Sequence, residues 1–178
     1  MPEVDWEAVE RLLQTLYPAD PLADWAGARR VARQMAYVSQ GMKPFDHDKA
    51  RLLALFHGIG ALAAEPVKRA RWTRPLKDAG VPLEDQTWLW LALPRYSETP
   101  ETQEERAVRD ACLLETVGAL GVARAMIRAG QTGESLRLAV QAAHRALGDA
   151  EFLTPAGRRL GIRRIVTAKR FLKELEEE

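Results

Sequence analysis

Two histidines in this chain stand where their surroundings could give them chemistry. His57 closes the run Leu52-Leu53-Ala54-Leu55-Phe56. At the end of an apolar helical turn an imidazole is either a hydrogen-bonded core residue or one half of a functional pair. His47 lies within Asp46-His47-Asp48, which has the look of a His–Asp pair. It falls at a helix start, however, where Asp48 is a favourable charge near the N-terminus and His47 a solvated first-turn residue. Asp110 is flanked by Val108, Ala111 and Leu113, so its carboxylate should be partly buried and will require a partner. Arg109 and Arg124 are either a solvated helix face or cations for an anionic ligand. Cys112 has no histidine near it in sequence and reads as a small buried hydrophobe before it reads as a nucleophile. Trp25, Trp88 and Trp90 read as core aromatics. The basic residues Lys68, Arg69, Arg71, Arg74 and Lys77 could touch phosphate groups, but they also fit a solvated surface.

These residues need a scaffold, and 178 residues supply about one domain. With 47% hydrophobic and 29% charged residues, and 26 Lys plus Arg against 25 Asp plus Glu, the chain is neither disordered nor a polyanion binder by bulk charge. A single cysteine excludes a disulfide framework and a zinc finger and fits a reducing compartment. The start Met-Pro-Glu-Val-Asp-Trp-Glu is acidic and has no apolar h-region, so no secretory signal is expected. The apolar stretches at 52–56 and 88–93 are too short to span a bilayer. A cytoplasmic protein is the expectation.

Every long segment has helical period, and no β-branched alternation appears. Asp5 should cap a first helix ended by Pro18. Asp20 and Pro21 should open a second running to Gly41, and Asp46 a third. Residues 66–82 mix Pro, Gly and basic residues and read as short helix and loop. A helix from about Glu84 stops at Pro94. Thr99 and Pro100 open the next, whose apolar positions run on past Met126, with a break expected near its middle. Two more follow, one stopped by Gly148 and one capped by Thr154 with Pro155.

Two separated segments carry a resemblance. Asp24-Trp25-Ala26-Gly27-Ala28-Arg29-Arg30-Val31 is similar to H-D-W-x-H-x-x-R-V, and Leu53-Ala54-Leu55-Phe56-His57-Gly58-Ile59 is similar to A-A-L-L-H-D-I. Further on, Arg109-Asp110-Ala111-Cys112-Leu113-Leu114-Glu115-Thr116-Val117-Gly118-Ala119-Leu120-Gly121-Val122-Ala123-Arg124 resembles Q-D-A-D-R-L-D-A-x-G-A-x-G-I-A-R. These patterns belong to the HD-domain superfamily of metal-dependent phosphohydrolases, in its small stand-alone bacterial branch. The likeness runs from about Asp20 to the C-terminus. It implies a site where a histidine, a His–Asp pair and a distant aspartate, from separate helices, hold a divalent metal that activates water against a phosphate ester. Carried over, the first histidine falls on Gly27, the His of the pair is His57, its Asp falls on Gly58, and the distant Asp is Asp110. The second acid of D-A-D is Cys112, and Arg95 and Tyr96 occupy further expected histidine positions.

The resemblance therefore implies an all-α, HD-domain-like helical bundle of one domain, with the motifs within about 20–130 and helices of 134–176 packed on it. It implies a degenerate member lacking part of the H…HD…D set. His57 and Asp110 should lie together, with no metal expected at Gly27, His57, Gly58 and Asp110, and neighbours or water should fill the volume left at the two glycines. Protonated His57 or an arginine among Arg30, Arg109 and Arg124 would then balance Asp110. The expected function is non-catalytic binding of a nucleotide or another phosphorylated small molecule, with those three arginines as the positive element. Two alternatives stand beside it: an active divalent-metal phosphohydrolase with unforeseen ligands, and a helical interaction or oligomerisation scaffold with apolar patches around Trp88 and Trp90. No membrane or nucleic-acid partner is expected, and a homodimer is the assembly entertained.

Overall fold

Short polar residues set where the helices begin. In a computed structural model, which describes residues 3–18, 20, 24–60 and 66–177, Asp5 caps α1 (Trp6–Gln14) by accepting the Ala8 amide at 3.0 Å. Asp46 caps α3 (His47–Phe56) through the amides of Asp48 and Lys49. Each carboxylate satisfies amides that the first turn leaves without partners. The second helix departs from expectation. α2 spans Trp25–Val38 and its cap is Asp24, in extended conformation, accepting the Gly27 amide at 2.7 Å. Of the expected cap pair, Asp20 is not the cap, and Pro21 lies outside the described residues.

The basic stretch is longer in helix than its prolines implied. α4 (Pro66–Asp78) carries Pro75 inside it, and it buries Trp72 and Leu76 on one side. α5 (Leu83–Ala92) follows. α6 (Gln103–Thr116) is capped by Thr102 rather than Thr99. The expected break is at Val117, which is extended, and Gly118, at φ +84°. That left-handed backbone favours glycine, and a Cβ there would also lie 3.1 Å from Cβ of Arg164. Beyond it run α7 (Ala119–Thr132), α8 (Leu136–Gly148) and α9 (Pro155–Glu177). All regular elements among the described residues are helical.

The core is the junction of α2, α3 and α6, which pack on one another more extensively than most other pairs. α3 is its centre: Leu52, Leu53, Ala54, Leu55 and Phe56 are all buried, which explains why the sequence shows an apolar run there rather than a stripe. Each such Leu or Phe contributes on the order of 1.5–3 kcal/mol of burial. Trp72 and Trp90 flank Phe56 with ring centroids 5.5 Å away, and Trp25 and Trp88 pack partly buried against the same core. α7 and α8 form an antiparallel pair beside α6, and α9 lies across α6, α7, α8 and α2. None of the described helices is long and apolar enough to cross a membrane.

Candidate functional site

The α2–α3–α6 junction leaves a cavity of about 260 Å³, lined by Tyr17, Asp24, Gly27, His57, Gly58, Cys112, Glu115, Thr116 and Arg124 among others. Helix phase decides who reaches it. Cys112, Glu115 and Thr116 are spaced i, i+3, i+4 and share one face of α6. Asp110 precedes Cys112 by two residues, about 200° around the helix, and faces the other way.

Gly27 and Gly58 both line this cavity, and neighbouring side chains fill the space a side chain would use. A Cβ on Gly27 would lie 3.0 Å from Asp24 Oδ1, 3.3 Å from Arg124 Nη2 and 3.4 Å from Arg30 Nη2. Two guanidinium groups thus converge where the resemblance places a histidine. A Cβ on Gly58 would lie 2.7 Å from Tyr17 Cε1. The Tyr17 hydroxyl donates to Leu55 O at 2.7 Å and accepts the Gly58 amide at 3.2 Å. Burial raises the Tyr17 phenol well above its ordinary range, so it is neutral.

Glu115 is the hub of the charges. Its side chain is 4% exposed. Its Oε2 accepts from Arg30 Nε at 3.0 Å and lies 3.4 Å from Arg124 Nη2. Its Oε1 accepts from Gln34, whose own carbonyl accepts from Arg164 Nη1 at 3.1 Å. One buried carboxylate so holds two arginines in fixed positions, as a charge in this setting requires. Arg30 also comes within 3.9 Å of Asp24.

His57 donates through Nδ1 to Ala54 O at 2.7 Å, which leaves Nε2 as an acceptor. Burial lowers its pKa, with Arg124 acting in the same direction, while the Ala54 bond and Glu115 oppose. Its role as a protonated counter-ion is therefore not realised. Burial also pushes the Cys112 thiol up to about 12, with a Tyr96 hydrogen bond opposing. A neutral thiol fits the reading of Cys112 as a small hydrophobe.

The structure does not bring Asp110 to His57. Asp110 is fully buried, and both its oxygens are spent at the start of α9. Oδ1 accepts the Leu153 amide at 3.0 Å, and Oδ2 accepts the Thr154 amide and hydroxyl, each at 2.7 Å. Backbone amides, not His57, satisfy the carboxylate. Arg109 helps from 4.0 Å, but its main bonds go to the carbonyls of Ser97 and Glu151, at 2.9 Å each. It lies apart from the pocket. Of the three arginines singled out by sequence, Arg124 lines the cavity with His57, Arg30 reaches its edge at Glu115 and Gly27, and Arg109 does neither.

The remaining candidates have other work. His47 packs edge-on against Phe45, and Asp48 sits in the first turn of α3. Arg95 grips the fully buried Glu105 with Nε and Nη2. Tyr96 is hydrogen-bonded to Cys112, and burial raises its phenol. Arg71, Arg74 and Lys77 are exposed on α4. Sequence reasoning passed over Glu115, Gln34 and Tyr17. The i, i+3, i+4 spacing of Cys112, Glu115 and Thr116 was a signal for the first; Tyr17 follows the end of α1, and no pattern in the sequence marks it.

The residues present do not suit a divalent metal. The cavity offers one imidazole, the Glu115 carboxylate already held by two guanidinium groups, the Asp24 carboxylate spent as the cap of α2 beside Arg30, and a thiol that stays protonated. Positive charge stands beside Gly27, and an aromatic ring stands beside Gly58. Among the described residues no cluster of three or more His, Cys, Asp or Glu could hold a metal ion. What this arrangement can do is donate hydrogen bonds. Each guanidinium has five N–H donors and gives only part of them to Glu115.

The fold is that of the HD-domain-like helical proteins. YpgQ of Bacillus subtilis matches with a TM-score of 0.75 and 23% identity over 96% of this chain and 93% of that one. The structure of YpgQ in complex with ADP matches with a TM-score of 0.75 and 21% identity over 96% of both chains. A predicted HD superfamily hydrolase from an uncultured Thermotogales bacterium matches with a TM-score of 0.67 and 17% identity, over 96% of this chain and 91% of that one. No protein-family model matches the chain, and no curated protein matches it in sequence.

Proposed function

We propose that this chain is a degenerate HD-domain protein that binds a nucleotide or another phosphorylated small molecule without hydrolysing it. The observation that carries this reading is the convergence of Arg30 and Arg124 on the space beside Gly27, held there by Glu115. In an HD-type phosphohydrolase, positive charge against the phosphoryl group comes from metal; here two guanidinium groups supply it, in a geometry suited to phosphate oxygens. The ADP complex of YpgQ, which shares this fold, is in keeping with that ligand class. Asp110 has no catalytic part in this reading. His57 remains as a neutral acceptor on the pocket wall.

Two measurements on purified protein test it. Isothermal titration with ADP and with pyrophosphate, in chelator-treated buffer, should show binding that Arg124→Ala weakens by about tenfold or more. Phosphatase turnover on nucleotides and generic phosphate esters, with Mg²⁺, Mn²⁺, Co²⁺ or Ni²⁺ added, should stay at background. The hydrolase reading draws on the Thermotogales neighbour. Metal-dependent turnover abolished by His57→Ala would establish it and overturn ours.

A further inference from the structure

The cavity at Gly27 sorts its hydrogen-bonding groups by kind. Arg124 on its wall and Arg30 at its edge bring donors only, since a guanidinium has N–H groups and no acceptor. Their Nη2 atoms lie 3.3 Å and 3.4 Å from where a Cβ on Gly27 would stand. His57, on the same wall, brings an acceptor only. Ala54 O cannot donate, so the 2.7 Å bond fixes the proton on Nδ1 and leaves Nε2 with a bare lone pair. Burial lowers the pKa of the ring and keeps it neutral. Nε2 has no hydrogen-bond partner among the described residues.

Asp24 adds to the accepting side, for its Oδ1 is spent on the Gly27 amide and a carboxylate has no hydrogen to offer. The remaining polar groups are occupied. The Tyr17 hydroxyl serves Leu55 O and the Gly58 amide, Glu115 holds Arg30 and Gln34, and the Thr116 hydroxyl donates to Leu113 O. A ligand that satisfies both sides must therefore accept from guanidinium groups and also donate to Nε2. The space is small as well, at about 260 Å³, below the roughly 300–1,000 Å³ of ordinary small-molecule sites.

We infer that the cavity selects a small tetrahedral oxyanion that keeps a proton, inorganic phosphate, and that His57 Nε2 is the group that reads the proton. This rests on the phosphoryl site proposed above and narrows its ligand. Monohydrogen phosphate gives bare oxygens to Arg30 and Arg124 and its O–H to His57. Sulfate has the same charge and nearly the same size but no proton to give near neutral pH, so one of its oxygens would face the Nε2 lone pair. A phosphate monoester gives up its last proton with a pKa of about 6, and its dianion meets the same obstacle. Inorganic phosphate holds its last proton into strongly alkaline solution. A buried acceptor left unpaired is what separates these ligands, because the site recovers nothing for its desolvation.

The test is isothermal titration with inorganic phosphate, sulfate and methyl phosphate in chelator-treated buffer at about pH 8, where all three are dianions and the first alone holds a proton. Phosphate should bind about tenfold or more tightly than the other two. His57→Phe keeps a ring without an acceptor, and thermal unfolding verifies that it folds. In that variant the preference for phosphate over sulfate should narrow several-fold. Sulfate or methyl phosphate within about threefold of phosphate, or an undiminished preference in folded His57→Phe, would overturn the inference and leave the phosphoryl reading in place. Binding of ADP with no binding of free phosphate would do the same. If the parent chain binds none of these anions and neither ADP nor pyrophosphate, the phosphoryl reading falls, and this inference falls with it.

Discussion

Gly58→Ala should destabilise this protein only because Tyr17 is there. Gly58 is not one of the glycines with positive φ, so alanine is compatible with its backbone and by itself should gain about 0.4–1 kcal/mol from the unfolded state. The new Cβ, however, would lie 2.7 Å from Tyr17 Cε1 and 3.1 Å from its hydroxyl oxygen. Ordinary carbon contacts are about 3.5–4.0 Å, so the ring must retreat by about 1 Å. That overpacking costs about 1–3 kcal/mol. The retreat also strains the 2.7 Å bond from Tyr17 to Leu55 O, a further ~0.5–1.5 kcal/mol. The net loss should be about 1–3 kcal/mol. In a Tyr17→Ala background the same substitution should be neutral or stabilising, so the double-mutant cycle should show a coupling of about 2 kcal/mol. Urea unfolding of the four chains measures it. An equal loss from Gly58→Ala in both backgrounds would refute the view that the Tyr17 ring occupies the space beside Gly58.

Three further outcomes follow from the same geometry. Asp110→Ala should lower stability by about 3–5 kcal/mol, since it leaves two amides and a hydroxyl buried without an acceptor; a melting temperature within about 2 °C of the parent would contradict the anchoring role. Glu115→Gln removes the carboxylate that competes for Arg30 and Arg124, so pyrophosphate should bind more tightly by titration calorimetry even as stability falls; weaker binding would count against a phosphoryl site. His57 has a folded pKa below its unfolded value of about 6.5, so the unfolded state binds the extra proton first. Its contribution is fully present above pH 6.5 and is lost as pH falls toward the folded pKa. Melting temperature against pH should therefore slope less steeply below pH 6.5 in His57→Gln than in the parent, and an identical slope would exclude this assignment.

What the sequence disclosed, and what it hid, divides along local and non-local physics. Asp5, Asp46 and Thr154 announce helix starts because a cap works within three residues. The all-α fold and a break somewhere in the long segment after Thr99 were legible for the same reason, though not its place at Gly118. Asp24 was hidden by Asp20-Pro21, a stronger local signal four residues earlier. The length of α4 was hidden by Pro75, although Trp72 and Leu76 kept helical spacing through it. At the site, Gly27, His57 and Gly58 line one cavity, as their grouping by motif suggested, but Asp110 was carried over by the resemblance without asking which side of α6 it faces. Counting 100° per residue from Cys112 would have sent it away from the pocket. That Tyr17 fills the place beside Gly58 could not be read at all, because a loop position has no periodicity from which to infer a direction.

The anchoring of α9 on Asp110 also bears on the order in which the chain assembles during synthesis. Asp110 is made before the residues that receive it, and until positions 153–157 have emerged its carboxylate has no amide to accept. A nascent chain ending short of Leu153 must either keep Asp110 in water, leaving α6 undocked, or bury an unpaired charge. Gly157 tightens this dependence, since a Cβ there would overlap Asp110 Oδ2: the carboxylate accepts only a helix start that lacks a side chain at that point. A helix translated well after the central ones is therefore the one that allows them to close.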